Sequence, residues 1–393
     1  MKDAVIVSAV RTTIGSLNGS LASLVAPALG SIAIAEALRR TGVGGGEVDE
    51  VIMGNVLSAG LGQAPARQAA LKAGLPHQVG CTTINKVCGS GLKAVMLGAQ
   101  AILLDEAQVV IAGGMESMSN APYLLHKARN GYRVGHEMLV DSLLKDGLCD
   151  AGGDFHMGAA AERCADRFQI SRAEQDEFAA LSYRRAEAAQ LRGDFRREIV
   201  AVKTNHKNGK NPDVEEDEEI KKFAAEKMRE LKPAFRPDGT VTAGNSSSIS
   251  DGAAALVLMA REKARALGIR PLARIVGYAS SAREPEWFTL APADAIPLLL
   301  KKTGHALGDI DLFEINEAFA AASIAVNRLL RLDPERVNVR GGAVALGHPI
   351  GASGARILTT LIHSLIDLDK ERGIATLCIG GGEAVALMVE RLG

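Results

Sequence analysis

An α/β fold with a duplicated core and one long insertion follows from three features of the chain. Strand-like apolar runs alternate with stretches of helical periodicity, which calls for a mostly parallel or mixed sheet covered by helices. Glycine-rich turns, and the strands around them, recur in the same order in the two halves. Between the halves, roughly Ser119 to Ser250, the composition turns more polar and gains helix-capping residues.

Composition narrows the class. A length of 393 residues suits two or three domains, and 47% hydrophobic against 23% charged residues suits a soluble protein with a large core. A net charge of −1 gives no electrostatic basis for nucleic-acid binding. No apolar run approaches the ~20 residues of a membrane span, so no membrane partner is expected. Met1-Lys-Asp-Ala-Val-Ile-Val reads as a strand and not as a signal peptide. Cys81, Cys88, Cys149, Cys164 and Cys378 form no CxxC pair. They read as free thiols in a reducing cytoplasm, with neither a disulfide framework nor a metal site. Without a P-loop or a qualifying GxGxxG, neither NTP nor NAD is implied.

Taken in order, Ala4–Val10 is an almost wholly apolar, central strand. Arg11–Ser23 reads as a Gly/Ser-rich loop and Pro27–Arg40 as a helix. Val51–Val56 is a strand and Ala64–Ala73 a helix. Thr83-Ile-Asn-Lys-Val-Cys88-Gly-Ser-Gly91 reads as a short strand and a sharp turn, opening a helix to about Leu104. Gln108–Ala112 is a strand running into Gly113-Gly-Met-Glu116-Ser. In the second half, Cys378 ends the strand Ile374–Leu377.

The repeat is explicit. Ile111-Ala-Gly-Gly-Met-Glu-Ser aligns with Cys378-Ile-Gly-Gly-Gly-Glu-Ala, and Cys88-Gly-Ser-Gly with Gly351-Ala-Ser-Gly. From turn to first matched glycine is 25 residues in one half and 29 in the other. Asn55 and Asn316 end the upstream strands, 33 and 35 residues before the turns. A site at the junction of two such halves draws one cysteine from each.

In the insertion, Ser171-Arg-Ala-Glu174 is a capping box opening a helix to about Leu191. Lys203–Asp213 reads as an exposed turn. The acidic run Val214-Glu-Glu-Asp-Glu-Glu219 reads as the solvated, dipole-favoured start of a helix to Leu231.

Cys88 falls at or near a helix N-terminus, where the dipole and free N–H groups favour a thiolate. Alone it also reads as a packed thiol in a Gly-rich turn. The far end of the chain carries Gly347-His348-Pro-Ile-Gly351-Ala-Ser353-Gly354 and Cys378-Ile-Gly380-Gly-Gly382-Glu-Ala. With Cys88-Gly-Ser-Gly and Asn316-Glu-Ala-Phe319, these resemble the signature set of the thiolase family, in order and over essentially the whole chain. Within it the chain is most similar to the biosynthetic, acetyl-CoA C-acetyltransferase type.

That resemblance implies two βαβαβ-type halves in a layered α/β/α/β/α core. The N-terminal half would be 1–118 plus 250–271, the inserted loop domain 119–249, and the C-terminal half 272–393. It implies acyl transfer through Cys88, with His348 as its base and Cys378 as the base for an α-proton. Asn316 would hold a water which, with His348, stabilises an enolate oxygen. The N–H groups of Cys88 and Gly380 would form a second oxyanion hole. Coenzyme A and acetyl-CoA would be substrates, with no permanently bound cofactor. His156-Met157-Gly158 matches the His-Met-Gly of short-chain members, and Ser247 the serine at the pantetheine arm. Phe235, Ala243, Ala318 and Phe319 match groove positions.

There are departures. Ile220, followed by Lys221 and Lys222, stands near where an arginine often touches the nucleotide. Trp287-Phe288-Thr-Leu replaces a smaller stretch bordering the acyl pocket, and Glu383-Ala384 ends the last motif unusually. A homo-oligomer, dimer or tetramer, is implied, with Pro122–Asp141 supplying contacts. Two alternatives stay open: a degradative 3-ketoacyl-CoA thiolase of longer chain range, and a non-catalytic CoA-binding relative. A ketosynthase-type enzyme, pairing its nucleophile with two histidines, fits Cys378 poorly.

Overall fold

The computed structural model describes residues 3–204 and 213–392. The first half runs β1 (Ala4–Thr12), α1 (Ala26–Thr41), β2 (Glu50–Gly54), α2 (Pro65–Lys72), β3 (Gly80–Ile84), α3 (Ser90–Leu103) and β4 (Val109–Ser117). The intervening segment carries α4 (Met157–Phe168) and α5 (Arg172–Arg192) before β5 (Ser250–Ala260). The second half runs β6 (Ala273–Ala282), α6 (Pro292–Thr303), β7 (Leu312–Ile315), α7 (Ala320–Leu330), α8 (Ser353–Asp367), β8 (Arg372–Ile379) and β9 (Glu383–Arg391).

Strand order shows the duplication. The first half is ordered β3-β2-β4-β5-β1 and the second β7-β8-β9-β6, with Val337 bridging β7 in the place of the missing edge strand. In both, pairing is parallel at the outer edge, β3-β2-β4 in one and β7-β8 in the other, and antiparallel from there to the junction of the halves. Antiparallel pairing of β1 with β6 joins the halves. In the second half the three residues Gly380–Gly382 connect β8 to β9. In the first half the equivalent antiparallel pair, β4 and β5, is separated by the whole long insertion. β4 runs on through Gly113 and Gly114 to Ser117, further than the apolar run alone suggested.

Burial follows from layering. Along β5, Ala254, Leu256 and Leu258 point into a central core, while Ala255, Val257 and Met259 point into an outer one. Both faces are covered, so every residue of β5 is buried. The central core holds α3 and α8 between the sheets, through Leu92, Val95, Leu358 and Leu361. Leu29 and Ala33 of α1 with Ala66 and Ala69 of α2 cover one outer face, and Ile296 and Leu299 of α6 with Val326 of α7 the other. The result is five layers, α/β/α/β/α.

Two motif glycines have a packing cause where α3 meets α8. A Cβ at Gly354 would lie 2.4 Å from the Leu92 amide nitrogen, and one at Gly91 2.8 Å from that of Ala355. Backbone cannot yield as a side chain can. Gly354→Ala is expected to destabilise the protein by about 1–3 kcal/mol, measured by urea denaturation. A change below a few tenths would show that the helices part freely.

The helix after Ser171 carries its capping box as read from sequence. The turn Lys203–Asp213 lies mostly outside the described residues. The acidic run is a correction: it does not start a continuous helix. Glu219–Lys222 forms one 3-10 turn, Phe223 is extended, and a short helix spans Ala225–Glu230. Asp217 is fully buried, and Glu218 accepts the N–H groups of Ser16 and Ser20. The cause is Arg11, read as a loop residue but lying in β1 and fully buried. Its guanidinium grips both Asp217 oxygens at 2.8 and 2.9 Å, and Glu198 at 2.6 Å. A buried cation requires this partnership.

Candidate active site

The Cys88 turn is held by local chemistry. Ser90 Oγ accepts the Lys86 N–H at 2.8 Å and donates to the Val87 carbonyl at 2.7 Å. Val87, a β-branched residue, sits at φ 46°. Such a conformation costs about 1–3 kcal/mol and persists only where the surroundings impose it. The Lys86 ammonium pairs with Glu383 beside the Gly380–Gly382 turn, tying the two halves together at this point. Glu116, fully buried, adds a second tie. It accepts the Asn55 amide and the N–H groups of Val56, Leu57 and Gly351. Burial outweighs those bonds and pushes its carboxyl up to about 7.

Cys88 precedes α3 and keeps part of its surface open to a cavity of about 490 Å³. The pull of a helix N-terminus toward a thiolate is outweighed here by burial. Desolvation pushes the thiol up to about 11, although the N–H groups of Gly380 and of Cys88 itself pull it down. Those are the two donors the sequence paired, and they converge on this sulfur.

His348 follows Gly347, whose φ of 102° suits glycine. The ring is buried, and burial, then the Arg356 guanidinium, holds its pKa down to about 3. The imidazole is therefore neutral at working pH. Its Nδ1 lies 2.5 Å from Ser353 Oγ, and its Nε2 lies 3.4 Å from Asn316 Nδ2. The Asn316 Oδ1 is buried with no hydrogen-bond partner. That leaves one acceptor positioned for a donor such as water.

Cys378 is buried in β8, in one apolar cluster with Met157, Phe288, Ala318 and Phe319. Burial, and next the neighbouring Cys88 thiol, push its thiol far above the ordinary range. It is a protonated thiol at rest.

The predicted groove residues meet in the same cavity. His156 caps α4, its Nδ1 accepting the Gly158 N–H at 2.9 Å, and stacks on Phe235 with ring centroids 4.8 Å apart. Phe235 meets Phe319 edge-on. Ser247 donates both its N–H and its hydroxyl to the Ala318 carbonyl. Met157, Ala243, Ala318, His348 and Gly380 complete the predicted lining. Cys378 and Asn316 stand immediately behind it. A second cavity of about 480 Å³, between α5 and α7, holds neither Cys88 nor Cys378 nor His348.

Two expectations divide. Phe288 lines the cavity, whereas Trp287 lies outside it, under the Arg167 guanidinium at 4.6 Å. At the doubtful nucleotide position, Ile220 is buried and Lys221 pairs with Glu216, while Lys222 reaches the cavity rim. Sequence reasoning missed Leu148 and Ile350 in the wall, and Ser353 behind His348. Ser353 stood in a quoted motif, five residues past the histidine, at the start of a helix; that position was the available signal.

Comparison with known proteins agrees with this layout. Residues 4–262 match the model of the thiolase N-terminal domain and residues 269–391 that of the thiolase C-terminal domain. The chain is 54% identical over 392 residues to an acetyl-CoA acetyltransferase of Pseudomonas aeruginosa, covering 100% of each chain. It is 52% identical to one of Schizosaccharomyces pombe, covering 98% of each. The crystal structure of the Bacillus anthracis acetyl-CoA acetyltransferase superposes with a TM-score of 0.97 at 44% identity, covering 100% of this chain and 99% of that one. Two family models laid end to end over nearly the whole chain, with relatives more than half identical along their length, place this protein in the thiolase family.

Proposed function

We propose that this thiolase is an acetyl-CoA C-acetyltransferase, joining two acetyl-CoA reversibly into acetoacetyl-CoA and CoA. The observation that carries the reading is the meeting at one cavity of Cys88, a neutral His348 and the paired N–H groups of Cys88 and Gly380. In this reading His348 Nε2 takes the Cys88 proton as sulfur attacks the acetyl carbonyl, whose oxyanion the two N–H groups hold. CoA leaves with the Cys378 proton. The Cys378 thiolate, a strong base because it is desolvated, then takes an α-proton from the second acetyl-CoA. The enolate oxygen rests on the His348 Nε2–H and a water held by Asn316. Attack on acetyl-Cys88 expels its thiolate, which His348 reprotonates, and both cysteines return to thiols. His156, Met157, Phe235, Ala243, Ser247, Ala318 and Phe319 grip the CoA arm. A burst of CoA release from acetyl-CoA, followed with DTNB and absent in Cys88→Ala, tests the reading; no burst from the wild-type protein overturns it.

Chain length separates this reading from a longer-range 3-ketoacyl-CoA thiolase. Met157 and Phe288 line the cavity and share an apolar cluster with Cys378, which supports a short acyl pocket. An open channel would gain ~0.8 kcal/mol per added CH₂, whereas forcing methylenes into packed space costs about 1–3 kcal/mol. Thiolysis kcat/KM is expected to peak with acetoacetyl-CoA and to fall roughly tenfold or more by the C8 substrate. A flat or rising series over C4, C6, C8 and C10 would support the longer-chain enzyme.

We further propose the division into halves 1–118 plus 250–271 and 272–393, with 119–249 as a loop domain over the site. A homo-oligomer, of tetramer size, would form through 122–141. There Tyr123–Leu124 pairs with Val140–Asp141, and Leu125, Val134, Met138 and Leu139 are exposed. A cytoplasmic location accords with five free cysteines. No helix among the described residues is long and apolar enough to cross a membrane.

A further inference from the structure

Ser353 opens α8 with its hydroxyl buried and does not reach the cavity. Its Oγ lies 2.5 Å from His348 Nδ1 and 2.9 Å from the Pro349 carbonyl. A hydroxyl has one hydrogen to donate, and a neutral imidazole has one N–H and one lone pair. The other side of the ring decides how they are shared. Nε2 faces the Asn316 amide NH₂, a donor, and so presents its lone pair. Nδ1 then carries the hydrogen and donates to Ser353 Oγ. The Ser353 hydrogen turns back to Pro349, four residues earlier, a bond that serines near a helix start readily make.

We infer that Ser353 is a positioning residue that holds His348 as the Nδ1–H tautomer, in the place a carboxylate takes in other nucleophile–base–orienter triads. The inference rests on the acyl-transfer reading above. It explains how one ring serves both steps without turning. Neutral, Nε2 is bare and takes the proton from Cys88 Sγ. Protonated, Nε2–H donates to the enolate oxygen. In both states Nδ1–H keeps the same acceptor. An uncharged acceptor also suits a site where the Arg356 guanidinium works against a resting imidazolium. The proton moves when the acyl carbonyl is attacked, not before.

Ser353→Ala removes the acceptor while adding a good helix former, so the fold is retained. The acyl-transfer burst is expected to slow by about 10- to 100-fold, on the scale of the loss when the partner orienting a metal-bound histidine is removed. KM for acetyl-CoA should stay within about twofold, because no groove contact changes. Solid-state ¹⁵N NMR of histidine-labelled protein, with His348→Asn assigning the signal, should show Nδ1 protonated and Nε2 bare in the wild type. In Ser353→Ala that preference should be lost. A burst in Ser353→Ala within about threefold of wild type, or a wild-type His348 protonated at Nε2, overturns the inference. The wild-type burst is read in the same experiment. Its absence would count against the acyl-transfer reading, and the NMR result would still decide the tautomer.

Discussion

Cys88→Ser abolishes acyl transfer from acetyl-CoA, by about four orders of magnitude or more in rate, because no alkoxide is available near neutral pH. The thiol is pushed up to about 11, yet it remains far easier to deprotonate than a hydroxyl. The N–H groups of Gly380 and Cys88 lower it, and a neutral His348 lines the same cavity. Cys378→Ser has the opposite pattern. A CoA thiolate is stable enough to leave with little help, so Cys88 still becomes acetylated. A serine in the apolar cluster of Met157 and Phe319 cannot supply a base, so deuterium exchange at the methyl group of acetyl-CoA is lost. Mass spectrometry of the acylated protein and exchange followed by NMR read the two effects separately. Loss of acylation with retained exchange in Cys378→Ser would reverse the two roles.

The largest expected effect on stability lies away from the chemistry. Arg11→Met leaves Asp217 and Glu198 facing each other inside the protein without their cation. Breaking a buried pair from one side costs about 3–5 kcal/mol. Burial works against the Arg11 charge, and Asp217 and then Glu198 hold it. The Asp217 carboxylate also accepts the Ile14 N–H at 2.8 Å, so the substitution loosens the contact between β1 and the insertion. Reversible urea denaturation should show the midpoint fall with little change in slope. A loss below about 1 kcal/mol would mean that water reaches this site and replaces the guanidinium.

What could be read from the chain was what local residue chemistry dictates. Alternating apolar runs placed most of the strands and helices. Ser171 and Glu174 started a helix because their side chains satisfy its first N–H groups whatever surrounds them. The repeated Gly-rich turns announced two related halves, and the strand orders carry that duplication. The residues expected at one site, from Cys88 to Cys378, stand in or beside one cavity because both turns open toward the junction of the halves.

Tertiary contact governed the rest, wherever a residue's behaviour depends on a partner far along the chain. The run from Val214 to Glu219 has the composition of a solvated helix start, but Arg11 draws Asp217 inside from 206 residues away. Cys88 stands where a helix dipole favours a thiolate, yet desolvation at the junction dominates. Phe288 turned into the cavity and Trp287 away from it, a division between neighbours that packing alone makes. The tautomer of His348 depends on Ser353 and Asn316, which sit on different elements and meet only in the folded protein. Local propensity acts over a few residues, whereas burial and pairing are properties of position in three dimensions. The first is written in the chain, and the second arises when the halves close on each other.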